Sequence, residues 1–160
     1  MDATHAELSE RAARALAGNL QGAAILPGDA GYDDARAIWN AMFDRRPAII
    51  VQPGNADDVA HAIRFAREHD LEIAIKGGGH NVAGNAACDG GLMLDFSRMN
   101  TVDVDPARRV ARVEPGALIS DLDRETQTHG LATPGGFISS TGVAGLTLGG
   151  GFGYLSRKRG

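Results

Sequence analysis

Apolar residues recur along this chain at two spacings. From His5 to Leu20, the residues Ala6, Leu8, Ala12, Ala15 and Leu16 share a face at the helical period and Gly18-Asn19 supplies a stop, which predicts a helix. After a Pro27-Gly28-Asp29 turn, Asp33 to Phe43 repeats that character with Ile38, Trp39 and Met42 as anchors; Trp39 is read as core packing rather than ligand stacking. The spacing then shortens. Ala48-Ile49-Ile50-Val51 is a continuous, largely β-branched run that suits a buried strand. Pro53-Gly54-Asn55 closes it, and Asn55 can cap a helix that carries Asp57 and Asp58 in its first turn, where the helix dipole favours negative charge. Val59, Ala62, Ile63 and Ala66 form the expected inward stripe of that helix. Leu71 to Ile75 completes a strand–helix–strand unit, and Lys76-Gly77-Gly78-Gly79-His80-Asn81 emerges at its C-terminal end, where open α/β sheets bind ligands. Further on, Gly91 to Phe96 reads as a strand. Thr101 to Val104 and Val110 to Glu114 alternate around Asp105-Pro106 as a hairpin, and Ala117 to His129 is a helix with Leu118 and Leu122 in register, ended by Gly130. Thr133 to Gly153 is glycine-rich yet too apolar for a flexible linker.

Composition narrows the class. A chain of 160 residues has the length of one domain, and 43% hydrophobic content argues against disorder. A formal net charge of −4 argues against a surface that neutralises nucleic acid or an anionic membrane. The single cysteine, Cys88, cannot close an internal disulfide, and the acidic N-terminus lacks a signal-peptide apolar block, which points to a cytoplasmic protein. No run reaches the ~20 apolar residues of a membrane span.

The 22 glycines are about twice the usual ~7% share, and they are not spread evenly. Six lie between Gly77 and Gly91 and ten between Gly130 and Gly160. Bare backbone serves turns, or a ligand such as a nucleotide phosphate that must reach N–H groups without a Cβ in the way. The common phosphate fingerprints are missing: Gly79 to Gly84 is followed by Asn85 and Ala86 instead of Lys and Ser or Thr, and neither Gly77-x-Gly79 nor Gly149-x-Gly151 has its third glycine. His80 directly follows three glycines and a buried-type strand, and imidazole is a nucleophile at neutral pH when a neighbour fixes its tautomer.

Taken in order, Lys76 to Gly84, Gly91 to Met99, Pro134-Gly135-Gly136 and Thr141-Gly142-Val143-Ala144-Gly145-Leu146-Thr147-Leu148-Gly149-Gly150-Gly151-Phe152-Gly153 resemble the FAD-binding domain of the p-cresol methylhydroxylase type, in the bacterial branch related to berberine bridge enzyme. The likeness covers roughly Arg46 to Gly160, with Leu26-Pro27-Gly28, Tyr32 and Trp39-Asn40 suiting the same branch. It implies an α+β fold in which a small parallel lobe faces a mainly antiparallel one with FAD between them. The chain then divides into an N-terminal helical lead segment, 1–45, and an incomplete FAD-binding domain, 46–160, without its substrate domain. The resemblance assigns Gly77, Gly78, Gly79 and Asn81 to the pyrophosphate and His80 to a covalent bond with the 8-methyl carbon of the isoalloxazine. It gives Thr141, Gly142 and Gly145 to a second set of backbone contacts, with Gly149 to Gly153 packing close behind and Gly150 and Gly153 counted among the cofactor-binding residues. A histidyl link prevents cofactor loss and raises the flavin potential. Hydride would pass from a small organic substrate to FAD, with molecular oxygen or another acceptor reoxidising it.

Departures from the family pattern shape this expectation. The cysteine of doubly linked members aligns with Ile138, so a single histidyl bond is expected; Thr141 stands where many members have valine or isoleucine, which leaves oxidase and dehydrogenase both open. Family enzymes run well past residue 160, so the chain reads as an N-terminal fragment or truncated frame, with a non-catalytic FAD-binding module as the alternative and no catalytic residue inside it. Elsewhere the expectations are plain. Cys88 is a small packing residue. His61 and His69 are solvated rather than metal ligands, and His129 sits favourably at a helix end. Asp121, Asp123 and Glu125 are a solvated face. Arg157-Lys158-Arg159 is too short for a nucleic-acid site, and Ser139-Ser140-Thr141 lacks the G-x-S-x-G elbow of a hydrolase.

Overall fold

The computed structural model describes residues 9–159. Helix α1 (Glu10–Ala17) starts where Ser9 Oγ accepts the Ala12 N–H, and it buries Ala13 and Leu16. The expected face is therefore rotated: Ala15 is exposed and Ala13 takes its place, while Ala6 and Leu8 lie outside the described residues. Strand β1 (Ala23–Ile25) and a short helix α2 (Tyr32–Arg36) follow.

Where a helix was expected to Phe43, the chain turns extended at Ala37. The physical reason is competition. Lys76 Nζ donates to the Ala35 carbonyl at 2.7 Å, and the Trp39 N–H donates to the Gly79 carbonyl at 3.1 Å, so residues 37–43 lie as a strap against the first glycine loop. Trp39 and Met42 are not core anchors but are exposed, at 63% and 90%; Ile38 alone of the three packs against the core.

Strands β2 (Ile49–Gln52), β3 (Ile73–Lys76) and β4 (Leu92–Asp95) complete a sheet of order β1-β2-β4-β3, with β1 antiparallel and the other three parallel. Helix α3 (Ala56–Glu68) joins β2 to β3, as the apolar pattern predicts, but those strands are not neighbours because β4 inserts between them. Side-chain alternation divides the core. Ile49, Val51, Leu92 and Leu94 face α1 and α3, while Ile50 and Met93 face Tyr32, Ala35 and Ala87. Each such fully buried side chain contributes about 1.5–3 kcal/mol. On α3 the inward stripe is Ala62, Phe65 and Ala66; Ile63 is 39% exposed, since the stripe drifts one position from the expected line.

Asn55 caps α3 as expected, accepting the Asp58 N–H at 2.9 Å. Asp58 does more than complement the dipole: it is buried and accepts N–H bonds from Gln21, Gly22 and Gly54, tying the entry of β1 to α3. Burial by itself would raise its pKa, but the three donors outweigh that and hold it below the ordinary carboxylate value. His61 is half-buried, with Nδ1 enclosed and unpartnered among the described residues, so it is not a solvated position; His69 is exposed but leans on the Phe65 ring.

A 3₁₀ turn at Phe96–Arg98 leads to the expected hairpin, β5 (Val102–Asp105) and β6 (Val110–Val113), paired antiparallel. Helix α4 (Ile119–Gln127) follows, and Asp121 caps it by accepting the Leu118 N–H while pairing with Arg124. That carboxylate is a structural cap and not merely solvated. Its neighbour Ser120 and the preceding Ile119 donate to the carbonyls of Ser139 and Thr141. The glycine-rich stretch then forms helix α5 (Val143–Gly149), and α6 (Ser156–Arg159) ends the described chain. No helix among the described residues is long and apolar enough to cross a membrane.

Candidate functional site

Both glycine clusters meet at one cleft of about 300 Å³. One wall is the loop at the C-terminal end of β3, contributed by Gly77, Gly78, Gly79, His80 and Asn81. The other is Thr141 and Gly142 with the α5 residues Gly145, Leu146 and Gly149, then Gly150. Exposed Ile75 and buried Ala86 complete the lining. Of the ten residues expected in the site, nine line this cleft. Gly153 does not: a Cβ there would overlap the Gly135 carbonyl, and its N–H donates to Ser156 Oγ, so it seats the loop behind α5.

The walls approach to backbone contact. A Cβ on Gly78 would overlap the Gly142 backbone, and one on Gly142 would overlap Gly78, which makes both positions obligate glycine as the chain now sits. Gly77 is tight against the Pro115 carbonyl, 2.9 Å from its would-be Cβ. Gly145 and Gly149 are different. No atom lies within 4 Å of the place their Cβ would occupy, so protein packing does not require glycine there, and a side chain would project into free space along the cleft wall. Gly79 and Gly150 adopt φ of +71° and +85°, which favours glycine on backbone grounds.

His80 stands at the mouth of this cleft and also borders a second recess of about 550 Å³ lined by Trp39, Ser97, Asn100, Asp121 and Ser140. Its Nε2 lies 3.1 Å from Ser140 Oγ. The Trp39 ring stacks on the imidazole with centroids 5.4 Å apart and planes 20° from parallel. The expectation that Trp39 packs in the core is thus overturned: strap hydrogen bonding carries it out to the histidine. The strap holds the loop elsewhere too. Asn40 Nδ2 donates to the Val82 carbonyl at 2.7 Å, the Phe43 ring fills the space a Cβ on Gly84 would need, and Asn81 Oδ1 accepts the Asn85 N–H.

Beneath the loop, buried Asp95 at the end of β4 accepts from Gln52 Nε2 at 2.8 Å and from Ser97, with Lys76 Nζ 4.0 Å away. Lys76 therefore braces the sheet end against α2 and does not enter the cleft. Cys88 is fully buried, its thiol pushed up to about 11 by burial first and by the charge of Glu72, which fits a packing residue rather than a reactive one. Ile138 is half exposed and carries no group able to bond a cofactor. Among the described residues no group of three or more His, Cys, Asp or Glu gathers as a metal site requires. The cleft therefore offers backbone N–H groups, space beside glycines, and one imidazole. Ile75, Ala86, Leu146 and Gly149 line the cleft beyond the expected residues, and Trp39 and Ser140 border His80 from the second recess; Ser140 directly precedes an expected member, whereas nothing local in the sequence marked Trp39.

Comparison with known proteins gives the same direction. A family model described as FAD binding domain matches residues 47–160. (R)-6-hydroxynicotine oxidase of Paenarthrobacter nicotinovorans is 39% identical over 142 residues, covering 89% of this chain and 31% of the relative. The crystal structure of 6-hydroxy-D-nicotine oxidase from Arthrobacter nicotinovorans superposes with a TM-score of 0.85 at 40% identity, over 87% of this chain and 31% of that one. A berberine bridge enzyme-like protein of Physcomitrella patens, variant D396N, gives 0.83 at 27% identity, over 91% and 32%. The chain spans about a third of the length of the relatives it matches.

Proposed function

Because the chain belongs to the FAD binding domain family, we propose that it is the flavin-holding part of an oxidoreductase that oxidises a small organic molecule and bonds its FAD covalently through His80. The observation that carries this reading is the cleft itself: two glycine walls from distant parts of the chain, with Gly145 and Gly149 leaving room that internal packing does not use, converge on one histidine. When bound, FAD supplies two-electron acceptance, taking hydride from the substrate and passing electrons to molecular oxygen or another acceptor.

The residues of this chain do the holding. Backbone N–H groups of Gly77 to Asn81 and of Gly142 and Gly145 serve the pyrophosphate, where a bare backbone lets donors approach anionic oxygens; the Thr141 N–H is turned to the Ile138 carbonyl at 3.1 Å, so Thr141 only borders the cleft. Gly150 permits the turn out of α5, and Gly153 supports that turn from behind. His80 provides the nitrogen of the covalent link, and Trp39 covers one face of its ring. Asn81 shapes the loop beyond the histidine through its bond to the Asn85 N–H.

The test uses the expressed protein precipitated with acid and run on a denaturing gel. Flavin fluorescence should stay with the wild-type protein, and His80→Ala should release it while still binding FAD before denaturation. Full fluorescence retained by His80→Ala would remove the covalent role; failure of the wild type to bind any FAD on titration would remove the cradle.

A further inference from the structure

We propose that Ser140 is the positioning residue that readies His80 for attachment, holding Nε2 so that Nδ1 is the nitrogen that bonds the flavin; this rests on the FAD reading of the cleft. The Ser140 hydroxyl makes the one hydrogen bond that the His80 ring forms among the described residues, at 3.1 Å to Nε2. Ser140 is itself held in place. Its two neighbours accept N–H bonds from the first turn of α4, Ser139 from Ser120 at 3.0 Å and Thr141 from Ile119 at 2.9 Å, so the hydroxyl is presented by a doubly pinned backbone. Trp39 covers a face of the same ring, so imidazole rotation is limited from a second side.

Such a partner selects which nitrogen reacts. A neutral imidazole carries one proton, and only the nitrogen without it has a lone pair free to attack. An Nε2–H donating to Ser140 Oγ keeps the proton at Nε2 and leaves Nδ1 nucleophilic. In the attachment step one C–N bond forms, while one methyl C–H and one imidazole N–H bond break. The two electrons lost by the methyl carbon and the two protons released end on the ring system of the same cofactor, so no outside oxidant is needed. Once Nε2 has lost its proton, the same hydroxyl reverses and donates to it. A hydroxyl can take both roles and a methyl group neither.

Ser140→Ala and Ser140→Thr distinguish this from a structural role. Total FAD bound is measured by absorbance before denaturation, and the covalent fraction by gel fluorescence over time. Ser140→Ala should bind wild-type amounts of FAD but attach it about tenfold more slowly, the order expected for one lost hydrogen bond to a group gaining charge. Ser140→Thr should recover to near the wild-type rate. NMR of the flavin peptide released by protease should place the link at Nδ1. Nitrogen-15 NMR of the cofactor-free protein should show His80 as the Nε2–H tautomer, shifting to a mixture in Ser140→Ala. Wild-type attachment rates in Ser140→Ala, a link at Nε2, or an unchanged tautomer would overturn the proposal. Absence of FAD binding in the wild type would instead defeat the FAD reading, and the tautomer measurement would still decide the role of Ser140.

Discussion

In the sheet that carries the first glycine loop, β4 places Leu92, Met93 and Leu94 out of reach of water on both faces; across the cleft, α5 has no buried residue and leaves Leu148 89% exposed. The two walls are held by different means. Side-chain packing fixes the sheet and so the base of the first glycine loop. The second wall is fixed by backbone: the Gly78 to Gly142 contact, the bridge of Leu118 with Gly142, and the N–H of Val143 donating to the Ala117 carbonyl at 2.9 Å. A site of this kind has a rigid floor and a compliant cover, and low local packing is where opening motions are cheapest.

Four substitutions test that contrast. Met93→Ala, in the middle strand, should cost about 2–5 kcal/mol in denaturant unfolding followed by circular dichroism, because it leaves a cavity between the sheet, Tyr32 and Ala87. A loss under about 1 kcal/mol would mean that the sheet is not the rigid wall. Asp58→Asn should cost about 2–3 kcal/mol by removing a carboxylate that satisfies three backbone donors. The wild type should also lose that contribution in acid. With the folded pKa below the unfolded value of 3.8, the stabilisation is complete above it and disappears as pH falls through the folded value. The asparagine variant should lack this part of the acid dependence.

Gly142→Ala should cost less overall, about 1–3 kcal/mol, because the overlap with Gly78 moves the backbone-held wall and spares the sheet. Its specific signature is amide exchange that accelerates in α5 but not in β4, with FAD affinity lowered about tenfold or more. Equal acceleration in both would erase the distinction between the walls. The smallest effect belongs to Leu148→Ser, within about 0.5 kcal/mol of wild type by the same unfolding measurement, since its side chain is almost wholly exposed.

What could be read from residues alone divides along the same line. Ile49 to Val51 and Leu92 to Leu94 announce buried strands because both faces of the sheet are covered, and Asn55 announces the start of α3 because its capping is local. The neighbour of each strand was not legible, since β4 joins β3 through registers such as Ile73 to Leu92 that no local signal encodes. Helix α5 was hidden by Gly145 and Gly149, each costing about 1 kcal/mol in helix propensity, in a segment whose conformation depends on backbone contacts from elsewhere. In the cleft, the glycines and His80 stood out by type and spacing. Trp39 did not, because a bond from its own N–H to Gly79 overrides the helical pattern around it.

The insertion of β4 between β2 and β3 also orders the making of the protein. A ribosome releases β3 and its glycine loop before β4 exists, and β3 has no other strand beside it. Until Leu92 to Asp95 has been made, the base of the loop lacks the strand it pairs with and can be held only by the strap at residues 37–43 and by Lys76. The base of the loop that carries His80 is therefore paired only after the strand that follows it in the chain has been made.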